Sequence, residues 1–464
     1  MKRRKLQTLT AAVEPRSIHP GKHLPSAPLS RRRFLAGAAA AWAAVSILPG
    51  RILGAAGQIP PREQVTLGFI GVGDRGGISP TGGWSGLLPG FILNPKCRVR
   101  AVCDVNRLRA EQCKAYVDEK YGNRDCAMYR DFREMLLRDD IQAVVIATPI
   151  HWHAVMTILA CQHGKDVYCE KPLAYTVRQG RAMVEAARRY GRVVQTGTQA
   201  RSSRKQQFIC RLIREGKLKL NQILVGGGGH KVSTIIRLPA QPVPEYLDWD
   251  LYVGPGEWRP YHEGIYDKSG WRQCINFGSF IGPDVTAHTF DVAQSALGTD
   301  LTGPVEIHPP EDNQRQMLTF RYASGAEVKQ QDENFAPKNE QSVIGLLFNC
   351  KGGDIRISPQ DDIVEFDPPG LAARFQMQAK SGDKKKNMNY CAAHYDNFLD
   401  CVCTRRKPNA DVEIGQRSLT LTHLACIGYR LNRPLRWDPV KEDFVNDPEA
   451  SRYLDTALRA PWRI

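Results

Sequence analysis

An apolar run, Val65–Ile70, leads without a break into Gly71-Val72-Gly73-Asp74-Arg75-Gly76, and this junction constrains the fold more than anything else in the chain. It reads as a buried strand ending in a turn from which side chains are excluded for three separate reasons. The first glycine permits the tight turn, the second lets backbone approach a diphosphate, and the third allows a helix to pack closely on the strand. A second run, Val99–Cys103, ends at Asp104, where a carboxylate can accept hydrogen bonds from a ribose diol. That pattern favours NAD as cofactor, with NADP as the alternative because Arg107 is close by in sequence. Gly76 and Asp104 are 28 residues apart, against roughly 20 in the usual unit. The interval holds Pro80, Gly82, Gly83, Gly86 and Pro89, so an inserted loop is expected to delay or break the first helix.

The pattern then alternates. Short apolar runs at 99–103, 143–147, 167–169 and 193–196 are separated by helical patterns at 107–120, 129–138, 153–163 and 177–190. Strands alternating with helices imply βαβ units and a parallel sheet, so 62–197 reads as a doubly wound Rossmann domain. From 198 to 464 the segments are longer, with Pro-rich loops and strand-like runs at 316–322 and 327–331. This predicts an α/β domain with a large open, mostly antiparallel sheet, and C-terminal helices that return to the first domain. The strand 144–148 runs into Pro149 and His151-Trp152-His153. No carboxylate or Cys partner stands at metal-ligand spacing, so the segment reads as a loop beside the nicotinamide and no metal is expected.

The formal charge of +16 invites a nucleic-acid reading, but ten of the basic residues and one acid lie in residues 1–56, which leaves +7 for the remainder. That is too mild a balance for a nucleic-acid partner. The same segment carries Ser30-Arg31-Arg32-Arg33-Phe34-Leu35, then an Ala-rich apolar run to Leu48 and a small-residue stretch near 56. It looks like a twin-arginine export signal, and its run of about a dozen apolar residues is short of the roughly 20 that span a bilayer. An exported, periplasmic or extracytoplasmic location follows, with an uncleaved signal as the one membrane anchor. The 13 cysteines, scattered and odd in number, read as free buried thiols and not as a disulfide framework.

Glu170-Lys171-Pro172 closes another strand-like run. With Gly71–Gly76, Asp104, Thr148-Pro149, the run 164–169 and Gln195-Thr196-Gly197-Thr198-Gln199, it resembles the Gfo/Idh/MocA oxidoreductases, above all their exported, planctomycete-like forms. The resemblance extends to the ending Arg459-Ala460-Pro461-Trp462. It implies a Rossmann domain, an α/β domain whose open sheet walls the substrate, pairing through that sheet into a dimer or tetramer, and hydride transfer to or from a sugar or polyol. It places the catalytic lysine on Lys171 and an Asp-x-x-x-His pair on Asp284 and His288. Expected cofactor contacts are Gly71, Gly73, Asp74, Arg75, Gly76, Asp104, Thr148, Pro149, His153, Glu170 and Lys171. Substrate contacts are expected from Gln199, Arg201, Tyr266, Trp271, Arg272, Asp284, His288 and Asp291.

Oxidising a secondary alcohol needs a base for the hydroxyl proton and a cation beside the developing alkoxide. A carboxylate four residues before a His meets it on one helical face and raises its basicity. His288 is therefore the expected base, Lys171 the stabilising cation and proton partner, and Asp284 the orienter. An exported dehydrogenase has no soluble cofactor pool, which implies a tightly held cofactor regenerated within each turnover. Two chemistries meet that condition: a ping-pong exchange between two sugars, or a redox-neutral cleavage of a glycosidic bond. A sugar- and dinucleotide-binding module without catalysis is the remaining alternative.

Overall fold

The computed structural model describes residues 63–78, 86–226, 238–266, 270–278, 283–310, 318–331, 335–337, 345–360, 362–378, 380–381 and 388–464; the side chains of 273, 283–285, 381 and 388–390 also lie outside the description. Residues 1–56, where an export signal is expected, are outside it too.

Six parallel strands form the first sheet: β1 (Val65–Ile70), β2 (Cys97–Cys103), β3 (Ala127–Tyr129), β4 (Ala143–Ile146), β5 (Asp166–Cys169) and β6 (Val194–Thr196), in the order β3-β2-β1-β4-β5-β6. This is the doubly wound order, which reverses between β1 and β4 and opens a crevice at the carboxyl ends of those strands. The strands read as apolar runs because both faces are covered. Phe69, Val102 and Tyr168 pack on one side, and Ile146, Val167 and Cys169 on the other.

The expected break in the first helix is present, in a specific form. Gly77 N–H donates to Gly73 C=O at 2.7 Å, closing one turn, and helix α1 (Leu87–Ile92) begins ten residues later. Leu87 N–H nevertheless donates to Arg75 C=O at 2.9 Å, and Leu88 N–H to Gly76 C=O at 3.2 Å. The insertion is thus spliced into the helix after its first turn, and α1 resumes the hydrogen-bond ladder beneath it.

The next helices follow ordinary capping rules. Asn106 caps α2 (Arg107–Tyr121) through Arg109 N–H, and Gly122 ends it in the left-handed conformation at φ 63°. Helix α3 (His153–Gln162) is buried nearly all round, while α4 (Val177–Arg189), capped by Thr176, turns only one face inward.

The second sheet has ten strands: β7 (Leu220–Val225), β8 (Glu306–His308), β9 (Thr319–Arg321), β10 (Glu327–Gln330), β11 (Leu346–Cys350), β12 (Gly353–Ser358), β13 (Ile363–Asp367), β14 (Lys380–Ser381), β15 (Leu435–Asp438) and β16 (Asp443–Phe444). Their order is β14-β13-β12-β11-β7-β10-β9-β8-β15-β16, and among the described pairings all but β7 with β10 are antiparallel, as expected. Alternation sets its two faces. Ile223, Phe320, Val328, Phe348, Ile355 and Phe366 join a core covered by α5 (Arg204–Arg214), α6 (Pro283–Leu297) and the later helix Val412–Leu431. The opposite face carries polar residues, including Arg321, which pairs with Glu306 at 3.0 Å and Glu327 at 3.3 Å.

Two C-terminal helices, α7 (Met388–Thr404) and α8 (Val412–Leu431), run back to the first sheet. Tyr395 of α7 stacks on Phe91 of α1 at 4.4 Å between centroids, and Gly415 of α8 lies against Thr196 of β6. The 13 cysteines are all free thiols, and all but Cys391 and Cys403 are buried.

Three buried histidines lock this assembly. His151 Nε2 lies 3.0 Å from Tyr252 O, His394 sits between Ser202 Oγ at 2.8 Å and Thr196 O at 3.0 Å, and His423 Nε2 lies 3.2 Å from Ala174 O. Burial pushes each down to about 4 from the ordinary imidazole value. A depressed histidine binds its proton more readily when unfolded, so its contribution is complete above about pH 6.5 and declines as pH falls towards 4. By pH 5 the expected loss is about 2 kcal/mol per ring. Urea unfolding at pH 7.5, 6 and 5 checks this, and a flat profile would refute burial of three neutral rings.

Candidate active site

The crevice between β1 and β4 is lined by Gly71, Gly73, Asp74, Arg75, Asp104, Thr148 and Pro149, all expected there, together with Arg109, Trp152, Tyr252, Tyr266, Trp271 and Arg272. The glycines differ in what they allow. Gly71 has φ +79°, and a Cβ there would meet Thr148. A Cβ on Gly76 would stand 1.8 Å from Gly71 O, so the turn cannot close around any side chain. Gly73 faces the crevice, where the nearest atom to a hypothetical Cβ is Arg109 Nη1 at 3.1 Å.

Asp104 is held as an acceptor. Its Oδ2 receives Val72 N–H at 2.8 Å, tying the glycine turn to the end of β2, and its Oδ1 receives Asn106 N–H at 2.8 Å. Burial pushes the Asp104 carboxyl up, opposed by these amides and by Arg109. Backbone open to the crevice at Gly73 and a fixed carboxylate at the end of β2 suit a dinucleotide's diphosphate and ribose.

Glu170 does not reach the crevice as expected. It is buried, because Oε1 accepts from Arg75 Nη2 at 2.7 Å and from Gln199 Nε2 at 3.1 Å, while Oε2 accepts Lys171 N–H at 3.2 Å. Glu170 therefore fastens the turn that carries Lys171 to the glycine turn. His153 is likewise a fastener: Nδ1 lies 2.8 Å from Pro172 O and Nε2 2.9 Å from Thr148 O. Lys171 itself is half-buried and follows β5 through a cis Lys171–Pro172 peptide bond.

His288 is buried in α6. That helix packs on the turn Gln199–Ser202 after β6, and Asp291, three residues past His288, accepts from Arg201 in that turn. Lys171 thus follows the carboxyl end of β5, and His288 stands on the helix that packs on the turn after β6. Position 284 lies one helical turn before His288, and the Asp284 side chain is outside the described residues.

The remaining substrate candidates divide between the core and the crevice. Arg201 is buried and donates from Nε to Asp291 Oδ2 at 2.8 Å, from Nη2 to Asp291 O at 2.9 Å and from Nη1 to Asp300 Oδ1 at 2.8 Å. Ser418 Oγ donates to Asp291 Oδ1 at 2.7 Å, so both Arg201 and Asp291 are spent inside the core. Gln199 is buried between Tyr168 and Glu170. Tyr266 lines the crevice and also meets the first domain: its Oη accepts Asn106 Nδ2 at 2.7 Å, and its ring lies 5.2 Å from the Arg109 guanidinium. Trp271 lines the dinucleotide crevice, with Arg272 4.7 Å over its ring.

Most of the aromatic residues of the segment 249–277 form a small core of their own. Trp249, Tyr252, Tyr261, Tyr266 and Phe277 pack together against His151, and Trp258 is exposed. The chain's ending reinforces it: Arg459 donates to Gly254 O at 2.8 Å and pairs with Asp250 at 2.6 Å, and Trp462 packs on Trp152 at 4.7 Å. Asn106 and Arg109 escaped the sequence reading. Asn106 carries an Asx cap signal ahead of α2, whereas nothing local marks Arg109.

A parallel dinucleotide-binding fold joined to an open mixed sheet, with the Lys171 turn fastened to the glycine turn through Glu170 and Arg75, defines the class of two-domain dinucleotide-binding proteins. Residues 67–198 match the oxidoreductase family's NAD-binding Rossmann fold, and residues 230–346 and 375–464 match its C-terminal alpha/beta domain. The chain belongs to the Gfo/Idh/MocA oxidoreductase family.

It is 30% identical over 274 residues to a glycosyl hydrolase family 109 protein of Shewanella pealeana, a match covering 56% of this chain and 54% of that protein. The chain thus spans about half the length of the curated relatives it matches. Among solved structures it resembles the aldose-aldose oxidoreductase of Caulobacter crescentus complexed with glycerol, at 18% identity and TM-score 0.54, over 80% of this chain and 99% of that one. It also resembles the WlbA dehydrogenase of Bordetella pertussis in complex with NADH and UDP-GlcNAcA, at 17% identity and TM-score 0.55, over 81% and 99%. These likenesses establish a shared fold.

Proposed function

We propose that the protein oxidises or reduces a sugar or polyol at a CH–OH group with a tightly held NAD, NADP being the alternative. The observation that carries this reading is the Arg75–Glu170 ion pair at 2.7 Å, which joins the glycine turn to the turn bearing Lys171. Bound in the crevice, a nicotinamide dinucleotide supplies the acceptor for the hydride that leaves the carbinol carbon. His288 takes the hydroxyl proton, Lys171 stabilises the oxygen as it becomes anionic, and Asp284 orients His288. The fixed Asp104 carboxylate favours NAD, since a 2′-phosphate would meet a like charge there. Export by the twin-arginine route belongs to the same proposal, because it explains why a cofactor would be carried and not exchanged. Assembly into a dimer or tetramer is retained with it.

A second reading keeps this proton machinery but ends in cleavage of a glycosidic bond with no net redox change. The similarity to glycosyl hydrolase family 109 proteins favours it. The first test is mass spectrometry of small molecules released on denaturing the purified protein. About one equivalent of NAD(H) or NADP(H) is expected, together with little reduction of added free NAD. An empty protein that reduces free NAD steadily in the presence of a sugar would overturn the carried-cofactor reading.

A further inference from the structure

Four guanidinium groups line the crevice: Arg75, Arg109, Arg130 and Arg272. Arg75 is paired with Glu170 at 2.7 Å, Arg130 with Asp248 at 3.5 Å, and Arg272 lies over Trp271. Arg109 differs in position. It rises from the first turn of α2 so that Nη1 stands 3.1 Å from the point where a Cβ on Gly73 would be, at the place where the glycine turn is open to the crevice.

Its environment fixes it there. The Tyr266 ring lies 5.2 Å from the guanidinium, and Asn106, which caps the same helix, donates to the Tyr266 hydroxyl at 2.7 Å. A cation held over a ring face keeps its charge while losing freedom. A diphosphate in a dinucleotide fold is ordinarily received by the amides and dipole of an unbroken helix. Here that helix is interrupted after one turn, and the piece that resumes, α1, is six residues long. A shorter run of aligned peptides offers a smaller dipole, and a planar guanidinium suits phosphate oxygens well.

We propose that Arg109 is a cofactor-binding residue that receives the pyrophosphate, and that Tyr266 is the positioning residue that holds it. Dinucleotide binding then requires both parts of the chain, since Tyr266 belongs to the segment after β7 and Arg109 to the Rossmann half. The inference rests on the crevice being the dinucleotide site and on no particular substrate.

The test uses the full-length protein, stripped of any retained cofactor, with NADH followed by its fluorescence and ADP-ribose and adenosine as competitors. Arg109→Met should weaken NADH and ADP-ribose about tenfold to a hundredfold, as expected for loss of a charge-assisted contact. It should also reduce the salt dependence of binding and leave adenosine affinity unchanged. Tyr266→Ala should give a smaller loss of the same pattern, partly restored in Tyr266→Phe. Wild-type ADP-ribose affinity in Arg109→Met overturns the proposal, and so does an equal loss for adenosine, which would move Arg109 to the base or ribose. If the wild-type protein binds neither NADH nor ADP-ribose, it is the assignment of the crevice that fails.

Discussion

Lys171→Ala is expected to lower turnover about 10³-fold, the scale set by removing a positioned proton-transfer or charge-stabilising group, while cofactor content stays at the wild-type level. The backbone geometry allows this separation. Lys171 is kept in place by its N–H to Glu170 Oε2 and by the Arg75–Glu170 pair, and neither involves its side chain. The turn should therefore survive truncation with the ammonium alone removed. Single-turnover measurements on the substrate identified for the wild-type enzyme, with released cofactor quantified in parallel, make the check. Activity within tenfold of wild type would remove Lys171 from the chemistry. Loss of cofactor along with activity would make its role structural.

The second large effect is on stability. Arg201→Met leaves the buried Asp291 carboxylate facing Ser418 with no cation, and breaking such a pair costs about 3–5 kcal/mol. In a chain of this size that corresponds to a fall in melting temperature of roughly 3–6 °C. Burial already pushes the Asp291 carboxyl up while Arg201 holds it down, so without Arg201 the acid takes its proton at higher pH. The stability deficit should then be larger at pH 8 than at pH 5. Arg201→Met/Asp291→Leu should recover much of it, since an apolar replacement of both partners removes the stranded charge. A variant of unchanged stability but weakened sugar binding would return Arg201 to the substrate list.

The parts of the molecule that follow from local pattern were legible in the sequence. Val65–Gly76 and the run ending at Asp104 are set by neighbours in the chain, so strand, turn and carboxylate were found where the residues themselves pointed. The broken helix was legible as well, because Pro80, Gly82, Gly83 and Gly86 interrupt the periodicity; its splicing through Leu87 and Leu88 was not, since those hydrogen bonds span the interruption. Residues whose partners lie far away in the chain misled. Arg201 follows a family-like stretch and has a polar side chain suited to sugars, yet its partners Asp291 and Asp300 are 90 and 99 residues on. Tyr266 has the composition of a sugar platform, but its hydroxyl is engaged by Asn106, 160 residues earlier in the chain. An isolated sequence records what a residue can do, and the choice among its options is made by tertiary partners.

The return of the late helices to the first sheet bears on how the chain is made. The six Rossmann strands are complete once Thr196 has been synthesised, and from Pro61 onward the whole chain forms one compact unit. Phe91 waits for Tyr395, Thr196 for Gly415, and Trp152 for Trp462. At roughly 5–20 residues per second, the stretch of about 200 residues between Thr196 and Tyr395 takes on the order of 10–40 s to translate. For that interval the nascent dinucleotide domain presents an apolar flank with no covering. The usual order, in which an N-terminal domain finishes while the ribosome works on the next, is denied to this chain, and a fragment cut after β6 would inherit the same bare flank permanently.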